Sequence, residues 1–252
     1  MQLGMVTYNV AKDWDIETII QKLEAARFEC VELRTTHRHG VEPSLGRPER
    51  DKVRERFARS KIRLVSLGSV CEFHSPNDAA WKQNIEECKR FIELAHDIGA
   101  FGVKVRPNAF PEGVSREATI KRIAQGLREC GQYGARFGVE IWLEVHGRVT
   151  QEPPNIAAII KEANHPSVGV CWNSNATDVV DGSVKPSFDL LRPHLMSCHI
   201  NELSSSYPWR ELFTLLRKSG YQRWTLCECQ ESKEPERFMG YYRALWTELN
   251  RA

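Results

Sequence analysis

Four apolar runs in the second half of the chain each end on two polar residues spaced two apart. L-E-V-H pairs Glu144 with His146, and W-N-S-N pairs Asn173 with Asn175. C-H-I-N pairs His199 with Asn201, and C-E-C-Q pairs Glu228 with Gln230. Alternate residues of an extended strand share a face, so each pair projects from one side. If the four strands are neighbours in register, the first members form a ring: Glu144, Asn173, His199 and Glu228. Two carboxylates, one imidazole and one amide oxygen are a donor set for a single divalent cation. Without a cation the two carboxylates repel, and one has to stay protonated. One polar residue at a strand end is ordinarily a solvated rim or structural group. Four in matching register on successive strands point to a functional polar centre.

Further candidates surround that ring. The outer members His146, Asn175 and Asn201 are placed to bind a substrate. K-V-R-P puts Lys104 and Arg106 on one face, and Arg106 suits a carboxylate or a substrate oxygen. The structural alternative for both is a buried salt bridge to Glu32 or Glu140. Glu72 and His74, in CEFHS, suit a loop over the site, or a merely solvated one. His37 and His39, in TTHRHG, read equally as a binding loop or a surface turn. Trp142 has the parity of Glu144 but is expected in the core, and Glu140 is expected to be structural.

Such a ring needs strands that deliver their ends to one place. Eight short apolar runs alternate with amphipathic segments through the 252 residues. The runs begin at Leu3, Cys30, Ile62, Phe101, Val139, Val168, Leu195 and Arg223. The clearest helix has Trp81, Ile85, Cys88, Ile92, Ala95 and Ile98 at helical spacing, starting near Ser75-Pro76-Asn77-Asp78. Strands rich in Val, Ile and Cys, each followed by a helix, imply a parallel sheet under helical cover. Eight units predict a single-domain α/β protein over residues 1–252, a closed (β/α)8 TIM barrel with its site at the C-terminal strand ends. An open doubly wound sheet would carry a glycine-rich first turn, and MVTYNVAKDWD has none.

Composition narrows the function. The chain is 41% hydrophobic and 27% charged, with a net charge of +2, as for a soluble globular protein. Its arginines are scattered rather than gathered into a stripe, so no nucleic-acid partner is expected. No apolar run approaches the roughly 18 residues of a membrane span. MQLGMVTYNV has no basic stretch or cleavage site and does not read as a secretory signal. The eight cysteines form no C-x-x-C pair and mostly lie in apolar runs. Reduced thiols in a cytoplasmic protein are expected, without a structural zinc site.

The order E-x-H, a polar residue ending the sixth run, then H, then E resembles the xylose isomerase-like TIM barrel superfamily of sugar isomerases, epimerases and endonuclease relatives. CVELR with Glu32, and LVSLGS followed by SPN and a helix ending LAHDIGA, resemble that family's second and third units. The likeness covers nearly the whole chain. It implies one divalent metal ion, manganese, magnesium, cobalt or zinc, on Glu144, Asn173, His199 and Glu228. It also implies proton transfer by Glu144 and Glu228 through an enediolate of a small carbohydrate substrate. Two positions depart from the pattern. The family has Asp followed three residues later by His, where this chain has Asn173 and Ala176. Many members have Lys-Asp where this chain has Asn201 and Glu202. Asn keeps an oxygen donor but removes one negative charge, which predicts weaker metal binding and a more Lewis-acidic ion.

The loops NELSSSYPW and QESKEPE lack the glycines of barrel phosphate sites, and Ser204, Ser205 and Ser206 read as a helix cap before Pro208. An unphosphorylated ketose, sugar acid or cyclitol is therefore the expected substrate of an isomerase or epimerase. A lyase or dehydratase using the same acid–base pair on a keto-sugar is the second reading. A non-catalytic sugar-binding barrel with a degraded metal site is the third.

Overall fold

The computed structural model describes residues 1–251, and eight parallel strands close on themselves in the order β1 to β8. They are β1 (Gln2–Val6), β2 (Cys30–Arg34), β3 (Arg63–Glu72), β4 (Gly102–Arg106), β5 (Glu140–Glu144), β6 (Val168–Asn173), β7 (Leu195–Ile200) and β8 (Trp224–Cys227). The helices that follow them are α1 (Ile16–Ala25), α2 (Arg47–Ala58), α3 (Asp78–Ile98), α4 (Arg116–Ala135), α5 (Pro153–Ala163), α6 (Lys185–Leu191), α7 (Trp209–Lys218) and α8 (Pro235–Leu249). The (β/α)8 architecture is the one that the alternation of apolar runs predicts.

Local chemistry sets the helix starts. Asn77 accepts a hydrogen bond from the Ala80 N–H at the start of α3, and Ser115 accepts one from Ala118 at the start of α4. α7 buries Trp209, Leu212, Phe213 and Leu216, one stripe at helical spacing. The serines before it do not cap it: Pro208 is the N-cap, and Ser205 Oγ instead accepts from the Trp209 indole N–H at 3.1 Å.

The main core lies between strands and helices, and a second, smaller core fills the lower barrel. There Val6, Cys30, Val65, Trp142, Cys171, Trp224 and Leu226 pack together. The Trp142 and Trp224 rings lie 5.6 Å apart. A Cβ on Gly102 would come within 2.4 Å of the Trp142 ring, so glycine in β4 lets the indole cross the barrel floor. Trp142 is thus core, as its sequence context predicts. Glu140 below it pairs with Arg223 and accepts from the Trp142 indole at 2.8 Å.

Two boundaries differ from the sequence expectation in ways that matter. β3 runs on to Glu72, so Glu72 ends a strand rather than opening a loop. β8 stops at Cys227, so Glu228 lies just beyond the ladder, where its N–H still bonds the Ile200 carbonyl at 2.9 Å. Among the described residues no helix is long and apolar enough to cross a membrane.

Candidate metal centre

The upper barrel continues the strands whose lower halves form the tryptophan floor. Glu144 ends β5, Asn173 ends β6, His199 is the last residue but one of β7, and Glu228 follows β8. Asn173 and His199 are register partners. Glu144, His199 and Glu228 each offer one atom within 4.8 Å of the others. His199 Nδ1 lies 3.2 Å from Glu228 Oε2 and 3.4 Å from Glu144 Oε1. Asn173 donates its amide to Glu144 Oε1 at 3.4 Å, while its own Oδ1 is buried without a partner. The structure brings together the four residues that the sequence register nominates.

Glu32 joins them. Its side chain is fully buried on β2, with Oε1 3.3 Å from His199 Nε2 and Oε2 accepting from Ser66 at 2.7 Å. A Cβ at Gly68 would stand 2.8 Å from Glu32 Oε1, so the bare backbone of β3 makes room for this carboxylate. Sequence reasoning treats Glu32 only as a family likeness or a salt-bridge partner. The available signal is a carboxylate inside the apolar run CVELR with the inward parity of Cys30. Tyr8, Asn9, Arg34 and Gln151 also face the cavity above the centre. Only the closure of the barrel brings those distant segments there.

Lys104 is buried and donates to Glu144 Oε2 at 2.8 Å. The sequence-based alternative named the wrong acids: the salt bridge is made to Glu144, with neither Glu32 nor Glu140 as the direct partner. Burial pushes the Glu144 carboxyl up, but Lys104 and His199 outweigh it and hold the group well below the usual carboxylate range. Glu32 behaves likewise: burial opposes ionisation, and His199 and Lys104 override it. Burial pushes His199 down, but Cys171, Glu228 and Glu32 together raise it well above an ordinary histidine. Burial also raises the Cys171 thiol.

These contacts define what the centre can hold. A proton on Nε2 facing Glu32 leaves the Nδ1 lone pair pointing at two carboxylates. That geometry is stable only with a second proton on the ring or a cation between the three groups. With neutral imidazole, Glu32, Glu144 and Glu228 against Lys104 leave two negative charges, the complement of one divalent ion. The unpartnered Asn173 Oδ1 supplies a fourth oxygen or nitrogen donor to the three already clustered. Among the described residues the donor set fits a hard or borderline divalent cation.

The cavity above has a volume of about 310 Å3. Lys104, Arg106, His146, Asn175 and Asn201 line it, with Gln230 opposite. Asn175 spends its amide donor on the Val145 carbonyl at 2.6 Å, and Asn201 donates to the Ser174 carbonyl at 3.1 Å, so both loops are braced by the groups that face the cavity. Arg106 keeps a buried Nε without a partner and lies 3.7 Å from Glu72. Glu72 and His74 are not among the cavity-lining residues; Glu72 reaches the site only through Arg106. His39 staples its loop, bonding the Arg34 carbonyl at 2.9 Å and accepting from the Val41 N–H at 3.0 Å. His37 contacts Thr7 at 3.2 Å and lies outside the cavity lining.

Comparison with known proteins bears on the barrel that carries this centre. The model of the xylose isomerase-like TIM barrel matches residues 20–243. Among solved structures, 3-keto-D-glucoside 4-epimerase from E. coli superposes with a TM-score of 0.81 at 16% identity, covering 99% of this chain and 98% of that one. D-Psicose 3-epimerase with D-tagatose from Clostridium cellulolyticum H10 gives 0.83 at 13% identity over the full length of both chains. The IOLI protein with a bound zinc atom gives 0.81 at 15% identity, covering 99% of this chain and 98% of that one. At such identities these likenesses establish the fold. No curated protein matches the sequence.

Proposed function

The chain belongs to the xylose isomerase-like TIM barrel family, and on that premise we propose that it is a divalent-metal-dependent isomerase or epimerase of a small carbohydrate. The observation that carries the reading is the Glu144–His199–Glu228 cluster, beside the unpartnered buried oxygen of Asn173. Solved structures named as sugar epimerases share the fold, and one neighbour carries zinc, which supports a sugar substrate and a metal of the manganese, magnesium, cobalt or zinc class.

Glu144, Asn173, His199 and Glu228 would hold the ion. When bound, it supplies a Lewis acid for adjacent carbonyl and hydroxyl oxygens of a ketose. The protein's own groups do the rest. Lys104 holds Glu144 Oε2, so that Oε1 faces the centre. Glu228 is the more open carboxylate, 17% exposed against 3% for Glu144. Glu228 takes the proton from the carbon beside the carbonyl and, once protonated, returns it in general acid–base fashion, while Glu144, the second carboxylate of the pair, is held ionised by Lys104 and faces the ion. Arg106 and His146 offer nitrogen donors to substrate oxygens, with Asn201 and Gln230 beside them. Eight free, buried cysteines support a cytoplasmic setting.

The test is metal content after purification without chelator, followed by incubation with ketoses under mass detection. Stoichiometric divalent ion and a product of unchanged mass are expected. Loss of water would move the assignment to the lyase reading. Absence of any bound divalent ion, with no thermal shift on adding manganese, would leave only a sugar-binding barrel.

A further inference from the structure

The metal-centre cavity is one of two that meet at the barrel mouth. A larger one, about 610 Å3, adjoins it, and the two share Asn201, Glu228 and Gln230. The outer cavity has a different character. The inner lining is almost wholly polar, with Lys104, Arg106 and the candidate ligands. The outer one mixes the Tyr207 and Trp209 rings, Val179 and Cys229 with Ser205 and Ser206.

Its wall is built rather than incidental. The two aromatic rings pack at 4.4 Å between centroids. Tyr207 donates its hydroxyl to Asp178 at 3.0 Å, and Asp178 also accepts the Asn175 N–H at 2.8 Å. Trp209 is pinned by its indole N–H to Ser205. Through Asp178 and Asn175 the outer wall is therefore tied to the end of β6, which also lines the inner cavity. Glu228 lies on the border of both.

Resting on the metal-dependent sugar reading above, we propose that the substrate is a glycoside. Its reacting sugar sits in the inner cavity, and a second ring, joined through an oxygen, sits in the outer one. A pocket near 310 Å3 is at the lower end of the range of about 300–1,000 Å3 for small-molecule sites, enough for one polar ring. A sugar-like second ring has apolar C–H faces and polar edges. Aromatic rings beside serine hydroxyls match that mixture. Because Glu228 stands between the cavities, the linkage lies above it, next to the carbon from which it takes a proton.

The probes are D-fructose and two glucosyl-fructoses, palatinose and turanose, each of which keeps the ketose unit. Their affinities are measured by calorimetry on the full manganese-loaded chain and on the metal-free chain. At least one disaccharide is expected to bind about ten-fold or more tighter than fructose. Ser206→Trp fills the outer cavity from an exposed position whose side chain makes no hydrogen bond. It should abolish that advantage while leaving fructose affinity and manganese uptake unchanged. Ala176→Trp, on the other side of the same cavity, serves if Ser206→Trp does not fold. Three results overturn the proposal: fructose as tight as both disaccharides, no binding by any of the three, or filled variants that weaken fructose and disaccharide alike. Conversion of fructose with no disaccharide preference would remove the glycoside assignment and leave the epimerase reading standing. Failure to take up manganese would remove the latter, while disaccharide preference is still read on the metal-free chain.

Discussion

The floor and the upper layer of the barrel interior are built from the same strands, two residues apart, and are held together by opposite means. Trp142 stands below Glu144, Leu226 below Glu228, Cys171 below Asn173, and Cys30 below Glu32. The floor is stabilised by removing apolar surface from water, a contribution of about 25 cal/mol per Å2 that needs no particular partner. The upper layer buries three carboxylates, an ammonium and an imidazole, which is costly unless the charges meet each other. Each floor residue is held by packing against its neighbours, with no charge to neutralise. Each upper residue is tolerable only because of its neighbours. The pattern to test is therefore rescue: a second loss cannot repair a cavity in the floor, whereas paired losses of opposite charge in the layer above should cancel.

The largest effects test that difference directly. Trp142→Ala should destabilise the fold by about 3–5 kcal/mol in urea unfolding, as a cavity in a packed core. Glu144→Leu should cost a similar amount, about 3–5 kcal/mol, because it strands the buried Lys104 charge. Lys104→Met added to Glu144→Leu should recover most of that loss, whereas added to Trp142→Ala it should deepen the loss, because Glu144 is then left without its ammonium. A double variant as unstable as the sum of the singles would break the comparison.

Glu32→Gln acts on the metal rather than on the fold. It removes the charge that faces His199 Nε2. Groups that orient a metal-binding histidine are worth roughly 10–100-fold in affinity. Manganese affinity, read by calorimetry, should fall by that factor. An unchanged affinity would make Glu32 a structural acid only.

Asn173→Asp sharpens the charge count. If Asn173 is a ligand, an added carboxylate should tighten manganese binding by about ten-fold, roughly 1.4 kcal/mol. The same affinity in both proteins would place Asn173 outside the ligand set.

The smallest effect separates buried carboxyls by what lies beside them. Glu144, next to Lys104, is held low. Asp178, bonded to the neutral Asn175 N–H and Tyr207 hydroxyl, is pushed by burial up to about 7, with those hydrogen bonds opposing the shift. A carboxyl raised in the folded state contributes stability fully present below the unfolded value of about 3.9. That contribution is lost as pH rises through the folded value. Asp178→Asn keeps an oxygen acceptor and cannot ionise. Its stability relative to the parent should therefore improve from pH 4 to pH 8. A difference that stays flat over that range would show Asp178 ionised throughout.

Periodicity made the barrel legible, because eight alternations of apolar run and amphipathic segment leave few ways to pair strands and cover both faces. Period-two parity did the same for Glu144, Asn173, His199 and Glu228: once strands are parallel and adjacent, residues of like parity at their ends converge. Residue type and height along the strand, rather than parity, separated Trp142, which belongs to the core, from Glu144 above it on the same face. What parity does not contain is lateral distance. Lys104 has inward parity in its own strand, but nothing in K-V-R-P distinguishes Glu144 from Glu32 or Glu140 as its partner. That choice depends on register across β4 and β5 and on how far the ammonium reaches. Glu32 entered the centre because the barrel closes β2 around towards β7, more than 160 positions later in the chain. The outer cavity likewise depends on Tyr207 and Trp209 meeting the residues after β8, Glu228 to Gln230, around one space. The sequence by itself determined which residues point inward and at what height, since backbone geometry is local. Only the tertiary structure decided which of those charges touch, since that requires strands distant in sequence to be brought within a few ångströms.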